Sequence, residues 1–334
     1  MTPDKGIYPL RILRILQEFT DSERSVSAQE IQERLTDIHG KKPCSNTIRA
    51  NIKRLRHEGF KIIRKDGKYA NYYLADRTLT YGEVIAICDQ IHSSFFISAE
   101  ESQKLIKKLL GFLPTHLRSQ HLKQYHNDNK KKTLYNNLYF ENYMKFCHAS
   151  ERHIALDVVY RSRVVLNGSE LHYTRKRHTL YPAAVISNAN FSYLIAFIKG
   201  KDNEGRFRID RFDSVEFLDE PFPSDWDYEY YDHYDMYCSP YMFGGEKLNA
   251  QFICDMHIFQ AVADVVGHDA RFYQLPDDPE KFYLSFKASR DDILLFTQQF
   301  MEWVTLLSPD DIRDEFEARC SEVLRKSKEY SSKE

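Results

Sequence analysis

The sequence predicts an α+β, multidomain chain, and three observations carry that prediction. Its 334 residues exceed what one core usually organises, at roughly 100 to 200 residues per domain. Apolar residues recur at helical spacing from Ile7 to Leu113 and again from Ile293 onward, whereas from His153 to Leu218 they alternate in short runs between turn-forming residues. Charge divides the chain as well. Up to His178 there are 31 basic and 19 acidic residues, net +12, and from Thr179 there are 16 basic and 30 acidic, net −14. The total of −2 by itself predicts no polyanion or membrane partner, but it conceals a cationic half and an anionic half.

A hydrophobic content of 42% argues for folded domains. No apolar run approaches the roughly 20 residues that span a bilayer, and the opening MTPDKGIYPL lacks the charged-then-apolar layout of a secretion signal. The expectation is a soluble, cytoplasmic protein. Six cysteines, Cys44, Cys88, Cys147, Cys238, Cys254 and Cys320, form no C-x-x-C pair, so they read as reduced, structural thiols rather than a disulfide or zinc framework.

Residues 1–78 read as three helices and a hairpin. Ile7, Leu10, Ile12, Leu13, Ile15, Leu16 and Phe19 give the first helix its core face. Ser27 with Glu30 three residues on is a capping box for the second, whose stripe is Ala28, Ile31, Leu35 and Ile38 before Gly40. The third opens at Ser45, buries Ile48, Ile52 and Leu55, and turns Asn46, Arg49, Lys53 and Arg56 outward until Gly59 stops it. Two strands, Lys61 to Arg64 and Asn71 to Leu74, then flank Asp66-Gly67, a hairpin signal. From Lys41 to Arg77 there are 11 basic and 3 acidic residues. This order and charge predict a winged helix-turn-helix that contacts duplex DNA through Ser45, Asn46, Thr47, Arg49, Lys53 and Arg56, with Lys65 and Lys68 of the wing on phosphates. The run SNTIRANIKRLRHEGF resembles the DeoR-type helix-turn-helix at Ser45, Thr47, Ile48, Leu55 and Gly59, with Ala50-Asn51 where that family has Arg-Asp.

Residues 79–135 read as a helical connector. Thr80 with Glu83 caps a helix bearing Val84, Ile85, Ile87, Cys88 and Ile91, and Ser98 opens another with Leu105, Ile106, Leu109, Leu110 and Leu113. These apolar faces either pack on the rest of the chain or form the seam of a homodimer, and the two-fold habit of helix-turn-helix proteins favours the seam. His121 to Lys132 reads as a loop.

Residues 136–220 read as a short helix around Tyr139 to Phe146 and a small β-barrel. Its strands are His153 to Arg161, Leu171 to Arg177, Tyr181 to Ser187, Phe191 to Ile198 and Arg206 to Leu218. Five short strands fit an SH3-like barrel and an OB-fold equally. The segment YPAAVISNANFSYLIAFIKGKDNEGRFRIDRFDSV resembles the WYL domain through Pro182, Tyr193, Leu194, Phe207, Arg208, Asp210 and Arg211, with Ser192 in place of the name-giving Trp. The order of a winged helix, this domain and the carboxy-terminal segment also resembles WYL transcriptional regulators. That resemblance implies an SH3-like barrel of Sm type sensing a nucleotide or nucleic-acid-like ligand. Candidate ligand residues are Tyr193, Arg208, Arg211, Arg163, Arg175, Arg177, His178 and Ser192, since guanidinium forks suit phosphate and a ring suits a base. Asp210 could equally pair with Arg208 or Arg211.

Residues 221–247 form an acidic, Tyr-rich linker. Asp225, Asp227, Asp232, His233 and Asp235 match no metal-loop spacing. Residues 248–330 read as strand Leu248 to Cys254, helix Ile258 to Val266, strands Arg271 to Leu275 and Lys281 to Lys287, helix Ile293 to Trp303 and a last helix from Ser308-Pro309, a ferredoxin-like layer. It resembles the carboxy-terminal extension of WYL regulators near Leu306 to Arg313, and its net negative charge argues against direct DNA binding and for a dimer contact or a cover over the sensor site. No nucleotide-binding, zincin or serine-hydrolase motif occurs, so neither an enzyme nor a cofactor is expected. The reading is a ligand-responsive transcriptional regulator binding operator DNA as a homodimer. The alternatives are a single-strand-binding module and, remotely, a nuclease using the Asp-rich linker.

Overall fold

The computed structural model describes residues 5–39, 43–65, 70–125, 138–167, 170–188, 191–201, 204–223, 240–241, 243, 245–267 and 269–331. Ten α-helices and three antiparallel sheets occur among them. Most of the linker, including Asp225 to Asp235, the wing turn with Lys68, Gly40, Cys238 and residues 126–137 lie outside the described residues. No helix among the described residues is long and apolar enough to cross a membrane.

Local signals place the first elements. Helix α1 (Tyr8–Phe19) is followed by β1 (Val26–Ser27) and α2 (Ala28–His39). The Ser27 hydroxyl accepts from the Glu30 N–H at 3.1 Å while the Glu30 carboxylate accepts from the Ser27 N–H at 2.7 Å, the reciprocal cap that the spacing predicts. Helix α3 (Ser45–His57) precedes β2 (Ile62–Lys65) and β3 (Asn71–Leu74), and the sheet order is β1-β3-β2. The sequence gives no sign of β1, two residues paired to Tyr72 and Asn71. Ile12, Leu16, Ile31, Leu35, Ile48 and Ile52 form the core of this group. Buried Thr20 ties helix to sheet by accepting from the Leu74 N–H at 3.2 Å.

Helices α4 (Tyr81–Ser93) and α5 (Ala99–Leu110) carry the predicted caps at Thr80 and Ser98. Val84, Cys88, Ile106, Leu110 and Leu113, the residues offered for a seam between copies, are buried against one another within the chain. Burial pushes the Cys88 thiol up to about 11, in keeping with a structural role. Part of the segment expected as a loop from His121 is helical, because α6 (Thr115–Leu122) runs into it.

Helix α7 (Tyr139–Glu151) packs Phe146 into the second sheet. That sheet comprises β4 (Ile154–Asn167), β5 (Glu170–Asn188), β6 (Phe191–Ile198), β7 (Glu204–Arg208) and β8 (Phe212–Pro221), in the order β7-β6-β5-β4-β8. Two expected strands, 171–177 and 181–187, are one: β5 runs through both and absorbs the change of face in a register irregularity between Pro182 and Ala184. Conversely, the expected strand Arg206 to Leu218 is broken by a 3-10 turn, Ile209–Arg211, which buries Ile209 and Asp210 and carries the chain from one edge of the sheet to the other.

The third sheet holds β9 (Leu248–Asp255), β10 (Arg271–Leu275), β11 (Asp278–Ala288) and β12 (Val304–Ser308), in the order β10-β11-β9-β12. Helices α8 (Phe259–Val266) and α9 (Arg290–Gln299) supply Val262, Val266, Ile293 and Phe296 to its core, and α10 (Asp310–Ser331) closes the chain. Strand β12 is absent from the sequence reading, which extended the preceding helix to Trp303. Its alternation, with Val304 and Leu306 buried and Thr305 exposed, spans only five residues, too few to stand out from the helical run before it.

Candidate nucleic-acid interface and effector site

The amino terminus of α3 is built by Cys44, which adopts extended backbone and whose Sγ lies 3.1 Å from Thr47 Oγ1. That hydrogen bond lowers the pKa of the exposed Cys44 thiol. Ser45 is therefore the first helical residue rather than the cap, and Thr47 is engaged locally. One turn on, buried Asn51 donates to the Thr47 carbonyl at 2.8 Å within the same helix, at the position where the DeoR-type motif has Asp.

Asn46, Arg49 and Lys53 project from the opposite side and are exposed. Among the described residues no ion pair engages Arg49 or Lys53. Two other candidates, exposed as well, are engaged by backbone carbonyls. Arg56 Nε donates to the Ile62 carbonyl at 2.6 Å, bracing α3 against β2. Lys65 donates to the Ser22 carbonyl and lies 5.4 Å from the Tyr73 ring centroid. Lys68 lies outside the described residues.

In the second sheet, register sets Tyr193 directly opposite Arg208. The Arg208 guanidinium lies 3.5 Å over the centroid of Phe191, two residues before Tyr193 on the same face. Its Nε and Nη2 donate to the two oxygens of buried Asp210 at 3.0 and 2.8 Å. Arg208 is thus both paired and stacked. Arg211, the exposed last residue of the turn, interacts with the Tyr160 hydroxyl, a group that burial pushes up in pKa. That hydroxyl also accepts from the Arg208 N–H at 3.2 Å.

Arg175, Arg177, His178 and Ser192 have partners of their own. Arg175 Nε donates to Asp213 at 2.5 Å, and Arg177 Nε to both oxygens of Asp157 at 2.8 and 2.9 Å. Arg163 pairs in register with Thr174 farther along β4. His178 faces the opposite way from Arg177, toward the Phe207 ring, and burial, then Lys201 and Lys176, lower its pKa. Ser192 is buried on the core side, where it accepts from the Tyr139 hydroxyl at 2.8 Å and lies 2.8 Å from Ser187 Oγ. Hydroxyls of α7, β5 and β6 thus meet at Ser192. Phe191, which the sequence places at the start of a strand, is absent from the candidate ligand residues, although its spacing from Tyr193 puts it on the same face.

Among the described residues no group of three or more His, Cys, Asp or Glu is placed to hold a metal ion.

No protein-family profile and no curated protein matches the sequence. Among solved structures the chain is similar to proteasome accessory factor B/C (PafBC) of Arthrobacter aurescens at 15% identity, over 93% of this chain and 47% of that one, with a TM-score of 0.25. It is also similar to a CRISPR Cas-related protein at 12% identity, over 91% and 79% of the respective chains, with a TM-score of 0.37. The chain spans about half the length of PafBC, and at these scores neither likeness defines a shared fold.

Proposed function

We propose that the chain is a ligand-responsive transcriptional regulator of the WYL type, which binds operator DNA as a homodimer and responds to a nucleotide or nucleic-acid-like anion. The observation that carries the reading is the outward face of α3, where Asn46, Arg49 and Lys53 stand exposed and the two cations have no ion pair among the described residues. Cations left unpaired on a helix followed by a hairpin suit a helix laid in the major groove, with residues 1–78 as the winged helix-turn-helix. The meander β4-β5-β6-β7, with β8 returning beside β4, favours an SH3-like barrel over the Greek-key OB alternative for residues 136–220. The β-α-β-β-α-β order with β9 between β11 and β12 suits a ferredoxin-like extension over residues 248–330.

In the barrel the effector site is Tyr193 with the stacked guanidinium of Arg208, which keeps donors free beyond the two atoms given to Asp210. The effector acts by binding the DNA-competent and incompetent dimers unequally.

A mobility shift on the DNA upstream of the chain's own gene tests the reading. Sequence-selective, saturable duplex binding is expected, with Lys53→Ala weakening it by about 5- to 150-fold. Duplex binding that is absent, or indifferent to sequence, would sink the reading.

A further inference from the structure

The third sheet is covered by helices on one side. Phe282, Leu284 and Phe286 of β11 enter the core with α8 and α9, and the alternate residues Tyr283, Ser285 and Lys287 turn to the other side. Register completes that face: Tyr273 lies opposite Tyr283, Arg271 and Gln251 flank Ser285, and Asn249 lies opposite Lys287. The two tyrosine rings stand side by side, centroids 6.2 Å apart and planes 39° apart, and Tyr273 is 59% exposed. A concavity of about 700 Å³ opens over them.

Its charge runs against its surroundings. The chain from Thr179 is net −14, yet this wall gathers Lys247, Arg271 and Lys287 against Asp269. Arg271 and Lys287 have no ion pair among the described residues. Paired rings, amide side chains and unpaired cations on the open face of a four-stranded sheet are what single-stranded nucleic acid requires. Bases stack on the rings, Asn and Gln meet base edges, and cations track the phosphates. A second copy fits less well, because a two-fold contact would bring this cationic patch onto itself.

We propose that this face binds single-stranded nucleic acid, at a site separate from α3 and from Tyr193 and Arg208. The test is fluorescence anisotropy of labelled oligo-dT and oligo-rU, about 12 nucleotides long, on the full chain at about 50 mM salt. Saturable binding is expected. Tyr273→Ala and Tyr283→Ala each weaken it by roughly 5- to 150-fold, and Tyr→Phe at either position retains it because the ring does the stacking. Lys287→Glu weakens it and flattens its salt dependence. Duplex affinity stays unchanged in all of them, which separates this site from the operator reading. Tyr273 guards against a fold defect in Tyr283→Ala, since its ring is the more exposed. Equal affinity for the two oligomers supports a stacking platform, and a preference for either assigns RNA or DNA as its ligand. Absence of binding to both, binding that survives both tyrosine changes and Lys287→Glu, or binding lost instead in Arg208→Ala overturns the proposal. So does a change of oligomeric state in Tyr273→Ala with oligonucleotide affinity intact.

Discussion

Arg208 and Asp210 form a two-pronged ion pair, Nε and Nη2 each donating to one carboxylate oxygen, across the junction where β7 gives way to a 3-10 turn. The Asp210 side chain is 5% exposed and that of Arg208 23%, so the pair sits at the edge of the core rather than in solvent. Phe191 supports the guanidinium from below. Removing the arginine leaves a buried carboxylate short of its donors.

Arg208→Ala is therefore expected to cost about 1–3 kcal/mol in urea unfolding, the penalty of an unsatisfied buried polar group. Arg208→Ala/Asp210→Asn should cost less than the single change, because the stranded charge is gone. A loss of this size leaves a folded protein, at typical stabilities of about 5–15 kcal/mol. Operator affinity should then persist while the response to effector disappears. An unchanged unfolding midpoint would remove the pair from any structural role, and complete unfolding would leave Arg208 with only that role.

Much of this was legible in the sequence where the signal was local, and little where it depended on register. The caps at Ser27, Thr80 and Ser98 follow from residues three apart, so the helices they open were readable. The Arg208 and Asp210 pairing was one of the open alternatives, but the turn that closes it was not, because Arg206 to Leu218 alternates well enough to pass for one strand. Arg175 and Arg177 looked like neighbours of Tyr193. Their partners, Asp213 and Asp157, lie 38 and 20 residues away, and only the pairing of β4 with β5 and β8 shows that these cations already have carboxylate partners.

Arg77 holds the first core to the connector. Its Nη1 donates to the carbonyls of Gln17 at 3.0 Å and Phe112 at 3.2 Å, while Nη2 donates to Gln17 at 3.0 Å and to Thr20. Burial lowers the arginine's pKa, and four carbonyl contacts at Nη1 and Nη2 replace part of the lost water, Nε staying buried without a partner. Arg77→Ala should cost about 1–3 kcal/mol and raise amide hydrogen exchange from Ala75 to Thr80. Arg77→Lys should recover less than half, since an ammonium cannot span the fork. Unchanged exchange across those residues would mean that the joint is held elsewhere.

His178 gives the second sheet a pH dependence. Burial, then Lys201 and Lys176, hold its imidazole below the ordinary value of 6.5. Between its folded value and 6.5 the unfolded chain binds more protons than the folded one. The contribution is therefore complete above pH 6.5 and is lost as the pH falls through the folded value. Urea midpoints measured from about pH 8 to pH 5 should decline on the acid side, and less steeply in His178→Gln. Parallel curves for the two proteins would show that other groups set the slope.

Arg56 and Lys53 lie within one turn of each other on α3, yet they should answer differently to the same substitution. Lys53 is exposed and outside any ion pair among the described residues, so Lys53→Ala removes charge from the outward side of α3 and leaves the core alone. Duplex affinity should fall, and if the lysine meets a phosphate the slope of log affinity against log salt should drop by about one unit. Arg56 spends its Nε on the Ile62 carbonyl at 2.6 Å, where α3 meets the strand that leads into the wing. Arg56→Ala should cost about 1.5–3 kcal/mol of stability, as for a hydrogen bond made by a charged group, with a salt slope close to that of the parent. Reversed outcomes, a stability loss for Lys53→Ala and a slope change for Arg56→Ala, would mean that the helix presents its other edge to DNA.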